Sequence, residues 1–122
     1  MRIEIKKAGQ EMPVVIITFH TKNERFDSDY EKSKFFRELH GWKQTVPRNG
    51  KRYVYVRKGL LDEVQHIKVS DSTFIVPSGE AKTVMDYFQE WADKVQVEML
   101  DMVMRQREFM KRVEEDNTSR QL

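Results

Sequence analysis

The residues with the clearest potential for binding chemistry lie between Trp42 and Lys58, where basic and aromatic side chains occur without a single acid. Lysine and arginine neutralise phosphates and tyrosine rings stack on bases, so this mixture is typical of surfaces that contact nucleic acid. Strand alternation over 51–57 places two tyrosines among cations on one face, and it places Val54 and Val56 on the other face, which we expect to pack on the core. The competing interpretation is that tyrosine is a common strand residue that packs beside long basic side chains. The predicted binding residues are Lys43, Arg48, Lys51, Arg52, Tyr53, Tyr55, Arg57 and Lys58.

Metal-dependent hydrolysis, including nuclease activity, is a second alternative function. The three histidines are far apart in the sequence, but His20 ends an apolar run and is followed by Asp27 and Asp29, a pair of carboxylates that could hold Mg²⁺. Acids just before a helix more often cap it, and no two histidines have the short spacing of a metal site. We therefore predict no metal site and no cofactor.

Other catalytic classes lack their residues. The chain has no cysteine, which excludes a thiolate nucleophile, a disulfide framework and a zinc ribbon. Its five glycines form neither a phosphate-binding loop nor a nucleophile elbow. These absences favour a non-enzymatic protein.

The length and charge of the chain are those of one small domain. It has 122 residues and a net charge of +2, which divides into +6 over residues 1–70 and −4 over residues 71–122. An anionic partner is therefore expected to meet the N-terminal half. No apolar run approaches the roughly 20 residues of a membrane helix, and the start of the chain lacks a signal peptide's apolar core, so we expect a cytoplasmic protein with no membrane partner.

Local signals predict the elements that carry these residues. The β-branched run from Pro13 to His20 indicates a central strand, and Ser28 with Glu31 three residues later forms a capping box for a helix that ends at Gly41. The dipeptide Asn49-Gly50 is a strong hairpin signal between Trp42–Val46 and Arg52–Arg57. A further strand is predicted over Ser72–Val76, closed by Pro77.

The C-terminal third favours one long helix, because no proline and no further glycine occur between Gly79 and Asp116. Steps of four and three residues give a heptad pattern that is almost entirely apolar: Phe88, Ala92, Val95, Met99, Met102, Gln106, Phe109 and Val113. A helix of this length would extend beyond the domain, so we expect residues 100–116 to protrude and to form a coiled-coil dimer. The predicted dimer interface is Val95, Met99, Met102, Phe109 and Val113, and residues 117–122 are expected to be a frayed tail.

A different interpretation makes Val95–Met99 a strand because its residues alternate in polarity. The element order would then be βαββαβ, which is similar to the dimeric ferredoxin-like proteins of nucleic-acid metabolism, an analogy of fold only. Nucleases of that fold use an acidic residue at the end of the first strand, where this chain has Phe19-His20-Thr21.

The preferred prediction combines these observations. Residues 1–116 form one α+β domain, a small antiparallel or mixed sheet with one covering helix and a long C-terminal helix. The expected function is non-enzymatic or regulatory binding of RNA or DNA by a homodimer through the basic aromatic hairpin. The first alternative is a protein-interaction module that binds another protein through the C-terminal helix.

Overall fold

The computed structural model describes residues 10–121, and it describes the surroundings of side chains as far as residue 116. It is an α+β structure, as predicted. The helices and strands, in chain order, are β1 (Glu11–Thr21), α1 (Asp29–His40), β2 (Trp42–Arg48), β3 (Lys51–Arg57), β4 (Ile67–Ser70), β5 (Thr73–Pro77), α2 (Ala81–Glu90), β6 (Val95–Arg105) and α3 (Gln106–Gln121).

Among residues 10–121, four strands form one antiparallel sheet in the order β4-β5-β1-β6, and β2 pairs only with β3 in a separate hairpin. The prediction of β1 as a central strand is confirmed. Without the β2–β3 hairpin and the added α3, the element order is βαββαβ with the first strand between the third and the fourth, which is the ferredoxin-like arrangement. The hairpin is therefore an insertion between α1 and the second strand of the main sheet.

The main core lies between one face of the sheet and the helices α1 and α2. Odd-numbered residues of β1, including Ile17 and Phe19, are buried there because successive side chains of a strand face opposite sides. Phe19 contacts Phe35 of α1 and Phe88 of α2, with ring centroids 5.5 and 5.2 Å apart. The Tyr87 hydroxyl donates a 2.6 Å hydrogen bond to the Phe35 carbonyl and so links the two helices.

The start of α1 is fixed by the predicted capping residues. Ser28 accepts a 3.1 Å hydrogen bond from the backbone N–H of Glu31, and the Glu31 carboxylate accepts one of 3.0 Å from the backbone N–H of Asp27. The first contact satisfies an N–H group that the helix itself leaves free. In the second, the Glu31 carboxylate binds the N–H of Asp27, one residue before the N-cap, and not the Ser28 N–H that a standard capping box would use.

The predicted long helix over 79–116 is wrong. The helical chain ends at Glu90, and the 91–94 segment turns through hydrogen bonds from Lys94 N–H and Val95 N–H to the Trp91 carbonyl. This turn needs neither glycine nor proline, which is why composition did not reveal it. The strand alternative at Val95–Met99 is confirmed, and the strand extends to Arg105.

Residues 100–116 do not protrude as a helix. Residues 100–105 belong to β6, and α3 folds back over the second face of the sheet, where Phe109 and Val113 pack with Val14 and Ile67. The helix also continues to Gln121, through most of the segment that was expected to be a frayed tail.

The predicted dimer seam is therefore not a continuous surface. Val95, Phe109 and Val113 are buried within their own chain, because they belong to two intramolecular clusters on opposite faces of the sheet. Met99 and Met102 are exposed, but they lie on β6 and face opposite sides. Self-association remains a prediction, and of the residues first assigned to it only these two are exposed.

Candidate nucleic-acid interface

The β2–β3 hairpin is closed by the predicted Asn-Gly turn. Asn49 and Gly50 have φ angles of 52° and 77°, and the strands pair from Trp42 opposite Arg57 to Arg48 opposite Lys51. Two consecutive positive φ angles are what a type I′ turn requires, and asparagine and glycine tolerate them best. The turn therefore fixes which side chains of the two strands lie opposite one another.

The base of the hairpin is a close crossing of two glycines. Gly41 ends α1 with φ of 81°, and Gly59 follows β3. A Cβ atom on Gly59 would lie 2.2 Å from the Gly41 nitrogen, so only glycine fits. The Asp62 carboxylate accepts a 2.8 Å hydrogen bond from the Gly59 N–H, which fixes the chain as it returns to the body.

One face of the hairpin carries the aromatic side chains. Tyr53 and Tyr55 are 44% and 39% exposed, and they lie across from Val46 and Gln44. Arg57 donates hydrogen bonds of 3.1 and 3.0 Å to the Gln44 side-chain oxygen, and its guanidinium lies 5.6 Å from the Tyr55 ring centroid. This face offers rings for stacking and a positioned cation beside them.

The other face is also open to solvent. Val54 and Val56 were expected to pack on the core, and this is wrong, because they are 60% and 68% exposed. The hairpin is not part of the four-stranded sheet, and in the described part of the chain its valine face is left open to solvent. The hairpin is therefore a ribbon with two accessible faces.

All predicted cations of the ribbon are exposed. By the pairing register, Arg48, Lys51 and Arg57 lie on the tyrosine face, and Lys43 and Arg52 lie on the valine face. Lys58 follows directly after β3 and is exposed too. Because residues 42–58 hold no acid, the positive charge surrounds the ribbon on both sides.

The structure adds a groove at the base of the ribbon that the sequence analysis missed. The Arg37 guanidinium lies 4.4 Å from the centroid of the Trp42 ring, within the range of a cation–π contact. A groove of about 230 Å³ opens beside this pair and is lined by Tyr30, Lys34, Arg37, Glu38, Trp42 and Lys58. Tyr30, Lys34 and Arg37 recur at intervals of four and three residues along α1, which is the signal that could have shown them.

Of the residues of the metal-site alternative, Asp27 has an ion pair of its own. The Lys94 ammonium lies 3.6 Å from the Asp27 carboxylate and also donates a hydrogen bond to the Glu31 carboxylate. This hydrogen bond is the main reason why the pKa of Glu31 is lowered. His20 is exposed on β1, and across residues 10–116 no group of three or more histidines and carboxylates has the geometry of a metal site. These acids hold the start of α1 against the start of β6.

The remaining histidines lie near the β4 edge. His40 Nε2 lies 3.0 Å from the Asp71 carbonyl oxygen, while its Nδ1 is buried with no hydrogen-bond partner among the described residues. Burial is the main cause that lowers the pKa of His40, and the nearby Lys68 adds to the effect. His66 is buried, with Nδ1 2.8 Å from the Val64 carbonyl oxygen. Both rings are therefore part of the packing of this edge.

Comparison with known proteins gives no information on the function of this chain. Within the described residues, no helix is long and apolar enough to cross a membrane. The chain matches no protein-family model, no curated protein and no solved structure.

Proposed function

We propose that this chain binds nucleic acid through the β2–β3 ribbon, as a homodimer, and that it does so without catalysis. The observation that carries the proposal is an exposed, acid-free ribbon with two partly exposed tyrosine rings on one face and cations on both faces. Phosphates are neutralised by such cations whatever the base sequence, and exposed rings stack on unpaired bases. Single-stranded RNA or DNA fits this combination best.

The groove beside α1 supports the same proposal. Trp42 and Arg37 form a stacked pair at the foot of the ribbon, and Lys34 and Lys58 line the same groove. A strand that stacks on Tyr53 and Tyr55 could continue along the tyrosine face toward Trp42, because all three residues lie on that face by the pairing register. The proposed contact surface is therefore the ribbon together with the exposed side of α1.

The test is fluorescence anisotropy with short labelled single strands and duplexes over a salt series. For single strands, each phosphate contact contributes about 0.7 to the slope of log affinity against log salt. We expect Arg48→Gln and Arg52→Gln each to lower this slope by about that amount. Lys111→Gln is the matched control, because Lys111 is exposed on α3, which covers the opposite face of the sheet from α1.

The tyrosines should give a different signature. Tyr53→Leu removes a stacking ring but no charge, so we expect a loss of about 1–3 kcal/mol in affinity at an unchanged salt slope. Absence of binding to every probe, or binding that is the same at about 50 and about 200 mM salt, would refute the proposal. Equal effects of Lys111→Gln and Arg52→Gln would show a non-specific response to total charge.

A further inference from the structure

In the part of the chain that the structure describes, the outer edge of β6 has unpaired backbone groups. Among residues 10–121, β6 pairs only with β1. At the two ends of this pairing, Lys22 N–H donates to the Lys94 carbonyl and Gln106 N–H donates to the Gln10 carbonyl. The register between them assigns the even-numbered residues of β6 to bonds with β1, so the odd-numbered residues from Val95 to Arg105 direct their N–H and C=O groups outward.

The side chains of this edge are unusually apolar for an exposed strand. Met99, Leu100, Met102 and Val103 are 47%, 61%, 40% and 59% exposed. Alternation puts Met99 and Val103 on the face of α1 and α2, and Leu100 and Met102 on the face of α3. A partner stacked on one face would cover only half of them, whereas a strand added at the edge contacts both faces.

The opposite edge of the sheet is protected by comparison. β4 has four residues, and its pairing with β5 is irregular between Lys68 and Ser70. Short and irregular strands are common means by which proteins prevent pairing at a sheet edge. β6 has eleven residues and carries its apolar side chains at its centre. β4 is therefore poorly suited to pair with a further strand, whereas β6 is well suited to it.

We propose that β6 pairs antiparallel with β6 of a second copy about a two-fold axis at Leu100. This register pairs the whole strand from Val95 to Arg105, because Leu100 is its midpoint. It sets Leu100 opposite Leu100 of the second copy and Val97 opposite Val103 of that copy. The inference rests on the homodimer of the proposed function, and it names the interface of that homodimer.

The positions of the charged residues favour this register over the one with its axis at the next residue. A two-fold axis at Asp101 would place two carboxylates directly opposite each other, which is destabilising. With the axis at Leu100, Asp101 faces Met99 of the second copy, and Glu98 faces Met102 of the second copy. No like charges are then directly opposed anywhere along the pair.

The two hairpins stay free in such a dimer. The hydrogen bond between His40 and Asp71 places the end of α1, from which the hairpin leaves, beside the β4–β5 turn. β4 and β6 are opposite edges of the sheet. The dimer is therefore a continuous eight-stranded sheet in which the base of each ribbon lies on the β4 side, away from the interface.

Single cysteine variants test the register directly, because the chain has no cysteine of its own. At the axis, the two copies of residue 100 form a non-hydrogen-bonded pair with Cα atoms about 4.5 Å apart, which a disulfide can bridge. We expect Leu100→Cys to form a covalent dimer under mild oxidation. Val69→Cys is the control, because Val69 lies on the β4 edge and is also 61% exposed. Equal cross-linking of both variants, or better cross-linking of Met102→Cys than of Leu100→Cys, would overturn the assignment.

Sedimentation tests the interface without cysteines or nucleic acid. We expect the natural protein to sediment with twice the mass of one chain. Met99→Pro should be monomeric, because proline removes an outward N–H that the monomer does not use. Met99→Ala should stay dimeric. Leu100→Glu, which opposes two carboxylates at the axis, should weaken association at least about tenfold, and it carries the test if Met99→Pro does not fold.

The outcomes separate the two proposals. A monomeric natural chain would overturn both the interface and the homodimer. A dimer that neither Met99→Pro nor Leu100→Glu weakens would overturn the β6 interface and leave the homodimer standing. Hairpin variants that lose nucleic-acid binding but remain dimeric would support the hairpin as the binding surface and β6 as a separate interface.

Discussion

Replacing Gly59 by alanine should weaken the fold strongly, because the added methyl group has no space. Its Cβ atom would lie 2.2 Å from Gly41 N, 2.5 Å from the His40 carbonyl carbon and 2.6 Å from the Leu39 carbonyl oxygen. All three are backbone atoms at the end of α1, so no side chain can rotate away. An ordinary contact of about 3.5 Å requires the two segments to separate by about 1.3 Å.

The cost of this separation can be worked out from the contacts that it strains. Overpacking of a tight site costs about 1–3 kcal/mol, and two hydrogen bonds lie at the crossing, from Gly41 N–H to the Arg37 carbonyl and from Gly59 N–H to Asp62. Each contributes about 1 kcal/mol. We expect a loss of about 3 kcal/mol. With an unfolding entropy of about 2.1 cal/mol/K per residue, this corresponds to a fall of about 12 °C in Tm.

Thermal and urea unfolding measure this loss. Gly79→Ala is the matched control, because Gly79 has no positive φ and, its two chain neighbours aside, no heavy atom of the described residues lies within 4 Å of the position of an added Cβ atom. We expect that variant to stay within about 1 kcal/mol of the natural chain, with a small gain from the reduced freedom of the unfolded state. If Gly59→Ala were equally mild, the glycine crossing would not be the tight anchor of the hairpin described above.

Three further substitutions test other parts of the fold. Because burial lowers the pKa of His40 below 6.5, its protonation favours the unfolded chain, and stability should fall as pH drops from about 7.5 to about 5.5. Chemical denaturation should show a shallower fall for His40→Gln, and an identical slope in His40→Gln would contradict the assignment. Phe109→Ala should lower the free energy of unfolding, measured in urea, by about 3–5 kcal/mol, because this α3 residue is fully buried against the sheet. A loss below about 1 kcal/mol would contradict that packing. Tyr87→Phe should cost about 1 kcal/mol in the same assay, because it removes the hydrogen bond to the Phe35 carbonyl, and no loss would show that this bond is dispensable.

The elements predicted correctly are those whose signals are local. The β-branched run of β1, the capping residues Ser28 and Glu31, and the dipeptide Asn49-Gly50 each fix their own backbone within a few residues. Such signals depend little on the rest of the chain. The fold class followed from them, and so did the position of the basic ribbon.

The long helix was predicted from a spacing that three different elements share. Phe88 faces the core from α2, Val95 and Met99 lie on β6, and Phe109 and Val113 lie one turn apart on α3. Each is apolar for a reason of its own, and the heptad spacing across them does not correspond to a continuous surface. The strand signal was weak because the centre of β6 is apolar on both faces, so polar and apolar residues do not alternate there.

The wrong prediction that Val54 and Val56 pack on the core also came from reading a spacing without its three-dimensional context. Alternation shows that two side chains share a face, but it does not show whether another layer covers that face. An isolated two-stranded hairpin is marginally stable in water, so this one depends on its Asn-Gly turn, its cross-strand pairs and its glycine anchor. Branching at Cβ restricts the side chain of valine and favours the strand conformation. The exposed valines are therefore consistent with a ribbon that must hold its shape alone, with both faces open to a ligand.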